Sequence, residues 1–207
     1  MLRNELIRYP IYLCIHPFKG YWDVKYEGKG RLNIALTILL MLTVAIIIKR
    51  QYAGFIVNFN NPNELNSLDE LMFIVLPFFI WCVANWSITT LMDGEGKFKE
   101  IIIVTAYALV PMILIYLFTT MMSQVITLEE AVFYFFLDGV ATIWFIYLLF
   151  VGIMTVHQYT ATKTIVTIFL TVMVMGILIF LGLLSFSLFQ QIYSFVETIF
   201  KELAYRT

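Results

Sequence analysis

The sequence predicts an all-α polytopic membrane protein: a five-helix transmembrane bundle followed by an amphipathic C-terminal helix. Three observations carry that prediction. First, the 207-residue chain is 61% hydrophobic and 17% aromatic, carries 13% charged residues and has a mean hydropathy of +0.89. A soluble domain carries about 25% charged and roughly 45–50% apolar residues, and a core of this size could not hide the surplus. Second, five apolar runs approach or exceed the roughly 20 residues that cross a bilayer. Third, Lys and Arg are unevenly shared between alternate connections, as orientation in a membrane requires.

Residues 1–31 form an arm ahead of the first run. Tyr9, Tyr12, Phe18, Tyr21, Trp22 and Tyr26 are interspersed with Arg3, Arg8, Lys19, Lys25, Lys29 and Arg31, against Glu5, Asp23 and Glu27. Such a segment suits an anionic inner leaflet, each surface cation contributing about 1 kcal/mol. Docking onto protein is the sharper alternative. No cleavable leader is read, because the first long run begins at Leu32, ends in Lys49-Arg50 and lacks a small-residue cleavage motif.

The expected spans are residues 32–48, 71–92, 101–122, 132–154 and 165–189. Arg31 and Lys49 bracket the first and can snorkel along it. Pro111 stands in the middle of the third and predicts a kink. The fifth is the longest and is expected to tilt. Mostly short connections predict antiparallel neighbours in one transmembrane unit over 32–189. The longer loop at 51–70 holds Asn58, Asn60, Asn61, Pro62, Asn63 and Asn66 and reads as turn.

Residues 190–207 follow as a separate helix. Ile192, Phe195, Val196, Ile199, Phe200 and Leu203 share one face at the helical period. Glu197 and Lys201, and Glu202 and Arg206, stand four apart and support it. The helix is expected to lie on the outer leaflet, or to dock a partner through Phe195, Ile199 and Leu203.

Nine cations fall on the arm side: the six of the arm, then Lys97, Lys99 and Lys163. Four fall on the other: Lys49, Arg50, Lys201 and Arg206. The bias predicts a cytoplasmic N-terminus and, with five spans, an outer C-terminus. The Lys49-Arg50 pair is the exception to the rule.

Polar residues within spans are where chemistry is to be sought. Asp138 lies about seven residues, roughly 10 Å, into the fourth span. It is expected near the headgroups, bonded to water or to a hydroxyl such as that of Tyr107; an ion-coupling role is the sharper alternative. Asn85, Ser87, Thr89 and Thr90 form a polar stripe on the second span, read first as helix–helix packing and second as a substrate path. The turn Asp93-Gly94-Glu95-Gly96-Lys97 is neither a phosphate loop nor a calcium loop, for want of spacing and carboxylates. It reads as a tight turn whose Asp93, Gly94, Gly96 and Lys97 are available to a partner.

His16 and His157 are the two histidines and lie in separate segments. With no metalloprotease pattern, nucleophile elbow or paired intramembrane aspartates, no enzyme activity, cofactor or metal is expected. Cys14 and Cys82 are too poorly matched for a framework disulfide; Cys82 reads as a small buried hydrophobe, and Cys14 could accept an acyl chain. A net charge of −1 without a basic stripe offers nothing to nucleic acid.

Asn85-Trp86, Thr90-Leu91-x-Asp93-Gly94-x-Gly96 and Ala106-Tyr107-Ala108-Leu109-Val110-Pro111 together resemble the Yip (Ypt-interacting protein) domain family. The resemblance extends from about His16-Pro17-Phe18 to the fifth span. It implies a five-span bundle with a cytoplasmic N-terminus and an adaptor-like role without established chemistry. Eukaryotic relatives are linked to Rab-type GTPases and vesicle traffic, whereas the short arm is similar to compact bacterial members. A bacterial plasma membrane is therefore the expected location. The resulting expectation is a non-enzymatic scaffold or accessory subunit for other integral membrane proteins, such as an ABC permease, with self-association possible. The alternative is a small ion-coupled transporter or channel built on Asp138, Asn85 and the Pro111 kink.

Overall fold

Hydrophobic length and a few helix breakers set the architecture. The structure, a computed structural model, describes the backbone of residues 2–59 and 65–206, and the side chains of 8–59, 65–202 and 205. Asn60, Asn61, Pro62 and Asn63 of the Asn-rich loop, and the side chain of Leu203, lie outside these described residues.

The arm folds into two helices, α1 (Leu2–Ile15) and α2 (Pro17–Tyr26). Pro17 opens α2, where a missing N–H costs nothing because first-turn donors have no partner within the helix. Gly20 lets the two helices touch, since a Cβ there would stand 3.0 Å from Leu13 Cγ.

The spans follow as α3 (Leu32–Tyr52), α4 (Ser67–Leu91), the pair α5 (Phe98–Ala108) and α6 (Val110–Met122), α7 (Ala131–His157) and α8 (Ala161–Arg206). Counting α5–α6 as one, five helices among the described residues are long and apolar enough to cross a membrane. The Asn66 side chain caps α4 by accepting the Leu68 N–H at 3.0 Å, and Asp69 and Glu70 complement the dipole of its first turn. Glu100 reaches back to the Lys97 N–H at 3.0 Å to close the start of α5. Pro111 removes a backbone donor and crowds the turn before it, so the third span breaks at Leu109.

α5 is the centre of the bundle, with every residue from Ile101 to Ala108 buried. α3, α4 and α7 pack around it, and the arm closes one end against α5, α6 and α7. The arm's inner face is thus protein-bound, with Leu13, Tyr21 and Val24 buried. Its outer face carries Ile11, Ile15, Phe18, Trp22 and Tyr26, all exposed at helical spacing. The outer face is therefore the surface left for the leaflet or for a partner protein.

α8 differs from the expectation of a fifth span followed by a separate helix at 190–207. It is one helix of 46 residues, about 69 Å long at 1.5 Å per residue against roughly 30 Å of hydrocarbon. The reason is local: beyond Gly182 there is no Gly or Pro to stop it. Its first turns pack on α4, while every residue from 181 to 202 is exposed.

Candidate functional site

Three polar constellations tie the helices together, and the sequence-predicted residues divide among them.

The first closes the arm end of the bundle. Asp93 takes a left-handed conformation (φ 54°) after α4, and the Gly94 N–H returns to the Thr89 carbonyl at 2.8 Å. Gly94 and Gly96 lie so close to the α7–α8 joint that side chains would not fit. A Cβ at Gly94 would stand 2.6 Å from both His157 Nδ1 and Tyr159 Oη, and one at Gly96 would stand 2.5 Å from His157 Cε1. The Gly96 N–H donates to His157 Nδ1 at 3.2 Å, and the Tyr159 hydroxyl donates to the carbonyls of Met92 (3.1 Å) and Thr89 (3.3 Å). Burial raises the Tyr159 hydroxyl above its ordinary ionisation range, with Asp93 adding to the effect, so it remains a donor at neutral pH. From α2, Lys25 Nζ donates to the Glu95 carbonyl at 2.7 Å and pairs with Glu100 at 3.3 Å. The Gly-x-Gly turn is therefore a clasp joining α2, the α4–α5 connection and the α7–α8 joint. Its glycines face inward, while Asp93 and Lys97 are exposed.

Tyr107 belongs to this end. Its fully buried ring meets Tyr9 edge-on at 6.2 Å, and its hydroxyl accepts the Arg31 N–H at 3.3 Å. The bond to Asp138 considered from sequence is not formed, because Asp138 sits towards the opposite end of the bundle.

There Asp138 has a different partner. Lys49, from the end of α3, pairs with its carboxylate at 2.5 Å, and Thr119 lies 3.4 Å from the other oxygen. The ammonium stands 4.0 Å from the Tyr116 ring centroid and 5.2 Å from that of Tyr134, within the range of cation–π attraction. Arg50 pairs with Glu70 beside it. The two cations that broke the charge rule are thus each matched to a carboxylate.

The third constellation is a seam between α4 and α8. Asn85 is fully buried and donates to Thr171 Oγ1 at 3.2 Å, while Thr89 donates to the Asn85 carbonyl at 2.8 Å. Thr164, Thr167 and Thr171 present one fully buried face to this stripe. Such side chains serve as interhelical glue, each bond contributing about 0.6 kcal/mol in a bilayer. Among the described residues, no three His, Cys, Asp or Glu side chains converge on a metal-sized site.

The sequence reading missed His157, Tyr159 and Lys25 as parts of the clasp, Lys49 as the counter-ion and the threonine face of α8. Two signals were available. A lone carboxylate in a span requires a cation, and Lys49 was one of two out of place. Thr160, Thr164, Thr167 and Thr171 recur at helical spacing. The clasp left no such signal, since three distant segments compose it.

An all-helical chain with five membrane-length helices among its described residues defines an integral membrane protein. A family model, the Yip1 domain, matches residues 11–184, and the chain belongs to that family. No curated protein and no solved structure matches it.

Proposed function

We propose that this protein is a non-catalytic scaffold or accessory subunit that holds other integral membrane proteins, with distal α8 as its principal docking element. One observation carries the proposal: α8 continues far beyond its contacts with α4, and residues 181–202 are exposed throughout. Phe195 (67% exposed) and Ile199 (41%) lie on one apolar face there, with Ile192, Val196 and Phe200. The helix is about twice as long as the hydrocarbon is thick, so part of this face extends beyond what lipid tails cover, and an apolar patch there favours a docked partner. Asp93 and Lys97 offer a second, polar contact at the opposite end.

The cation bias supports a cytoplasmic N-terminus and an outer C-terminus. A bacterial plasma membrane is the setting we favour, with a transport complex such as an ABC permease as the class of partner. A carrier needs available polar groups along a path, whereas Asp138 is paired with Lys49 and the Asn85 amide nitrogen donates to Thr171, leaving only its Oδ1 without a partner among the described residues. That favours the scaffold over an ion-coupled transporter or channel.

The test is affinity purification from the native membrane, at native expression and in mild detergent, with and without residues 190–207. A stoichiometric integral membrane partner, lost on deletion, is the expected result. A chain that purifies alone contradicts the proposal, as does liposome ion flux that disappears on Asp138→Asn.

A further inference from the structure

Two clefts meet where the arm crosses the start of α3. The first, of about 680 Å³, is lined by four cations, Arg8, Lys19, Lys29 and Arg31, and two carboxylates, Asp23 and Glu27. Both carboxylates are occupied: Lys29 pairs with Asp23 at 3.0 Å and with Glu27 at 2.5 Å. Among the described residues no carboxylate pairs with the side chains of Arg8, Lys19 or Arg31, so the cleft has an unbalanced positive charge. The second, of about 590 Å³, is an apolar groove between α1, α3 and α6, lined by Ile11, Ile34, Ile38, Met41, Ile113 and Leu114 among others. Arg31 and Ile34 line both clefts, so the two adjoin at the start of α3.

We propose that this site binds a single anionic phospholipid, with its phosphodiester against Arg8, Lys19 and Arg31 and an acyl chain in the groove. The order of chemistry along the membrane normal is the order of the ligand. Arg31 stands at the mouth of the first span, at headgroup level. The stretch from Arg31 to Met41 rises about 15 Å along the helix, half the roughly 30 Å hydrocarbon thickness, so the groove fits one leaflet. Cations at the interface attract an anionic headgroup, and the guanidinium fork matches phosphate oxygens. A free anion leaves the apolar groove unused. An extended peptide would bring unsatisfied backbone groups into hydrocarbon. The site lies at the opposite end of the bundle from distal α8 and does not depend on the scaffold reading.

Native mass spectrometry of the full chain tests this, in zwitterionic detergent with equal phosphatidylglycerol and phosphatidylcholine. Wild type is expected to retain one phosphatidylglycerol in preference to phosphatidylcholine. K19Q/R31Q is expected to bind it about thirtyfold more weakly, the equivalent of two interfacial charges, with phosphatidylcholine unaffected. The Arg31 N–H bond to Tyr107 uses the backbone and survives that change. M41W fills the groove from its exposed rim and should weaken both lipids while the melting temperature stays at the wild-type value. Equal retention of the two lipids by wild type overturns the proposal, as does undiminished phosphatidylglycerol in K19Q/R31Q. Displacement of the lipid by millimolar inorganic phosphate would assign the cleft to a free anion instead.

Discussion

The third span, α5–α6, and the fifth, α8, are the two most apolar in the molecule, with mean hydropathies of 2.5 and 2.7 over their best windows. Their surroundings are opposite. Two-thirds of the window in α5–α6 (67%) is buried inside the protein, against 11% in α8. Hydropathy therefore reports that a helix leaves water and says nothing about what it packs against. The difference lies in small residues and shape. Gly152 admits the centre of the bundle, since a Cβ there would stand 2.3 Å from Val104 and 3.0 Å from Tyr21, whereas Gly176 and Gly182 on α8 have nothing within 4 Å.

Perturbing the packed part should cost far more than perturbing distal α8. The largest effect is expected at the Lys49–Asp138 pair, whose side chains are only 18% and 24% exposed. Lys49→Met leaves Asp138 without its counter-ion and should cost about 3 kcal/mol, the lower end for a broken buried pair. The double change Lys49→Met with Asp138→Leu should recover most of it. Denaturation in mixed micelles gives the coupling, and a double variant worse than both singles would show that the pair does not act as a unit.

Next come the glycines. Gly152→Ala should destabilise by about 1–3 kcal/mol through overpacking. Gly176→Ala and Gly182→Ala should stabilise by about 0.5–1 kcal/mol, because alanine is the better helix former and the space is open. Equal melting shifts at the three positions would remove the distinction between the close-packed surroundings of α5, which Gly152 of α7 faces, and the open ones of α8.

A smaller, chemical effect concerns the arm's inner face. Cys14 is buried and donates to the Pro10 carbonyl at 3.2 Å, and burial pushes its thiol up to about 12. Its thiolate is therefore scarce at pH 8, and a maleimide should label it only after unfolding. As pH rises above the ordinary thiol range the unfolded chain ionises first, so this group removes stability towards alkaline pH. Rapid labelling of the native protein at pH 8 would mean that the arm does not stay docked.

Much of this was legible in the sequence. The five spans, the Pro111 break and the interhelical use of Asn85 follow from run length, proline chemistry and the aversion of polar groups to hydrocarbon. The Gly-x-Gly turn was visible, but its inward role was not, because His157 and Lys25 reach it from far along the chain. The continuity of α8 was obscured by the change from uniformly apolar to amphipathic composition near Gln190. Composition changes there while the backbone, lacking a breaker, does not.

The central claim is that the apolar face of distal α8 is covered by another membrane protein in the native membrane. Photocrosslinking residues placed singly at Phe195 and Ile199, and at Ser194 and Lys201 on the opposite face, test it most directly. One discrete integral membrane partner captured from Phe195 and Ile199, and not from the other two, is the predicted result. Lipid adducts alone at all four positions would contradict the account.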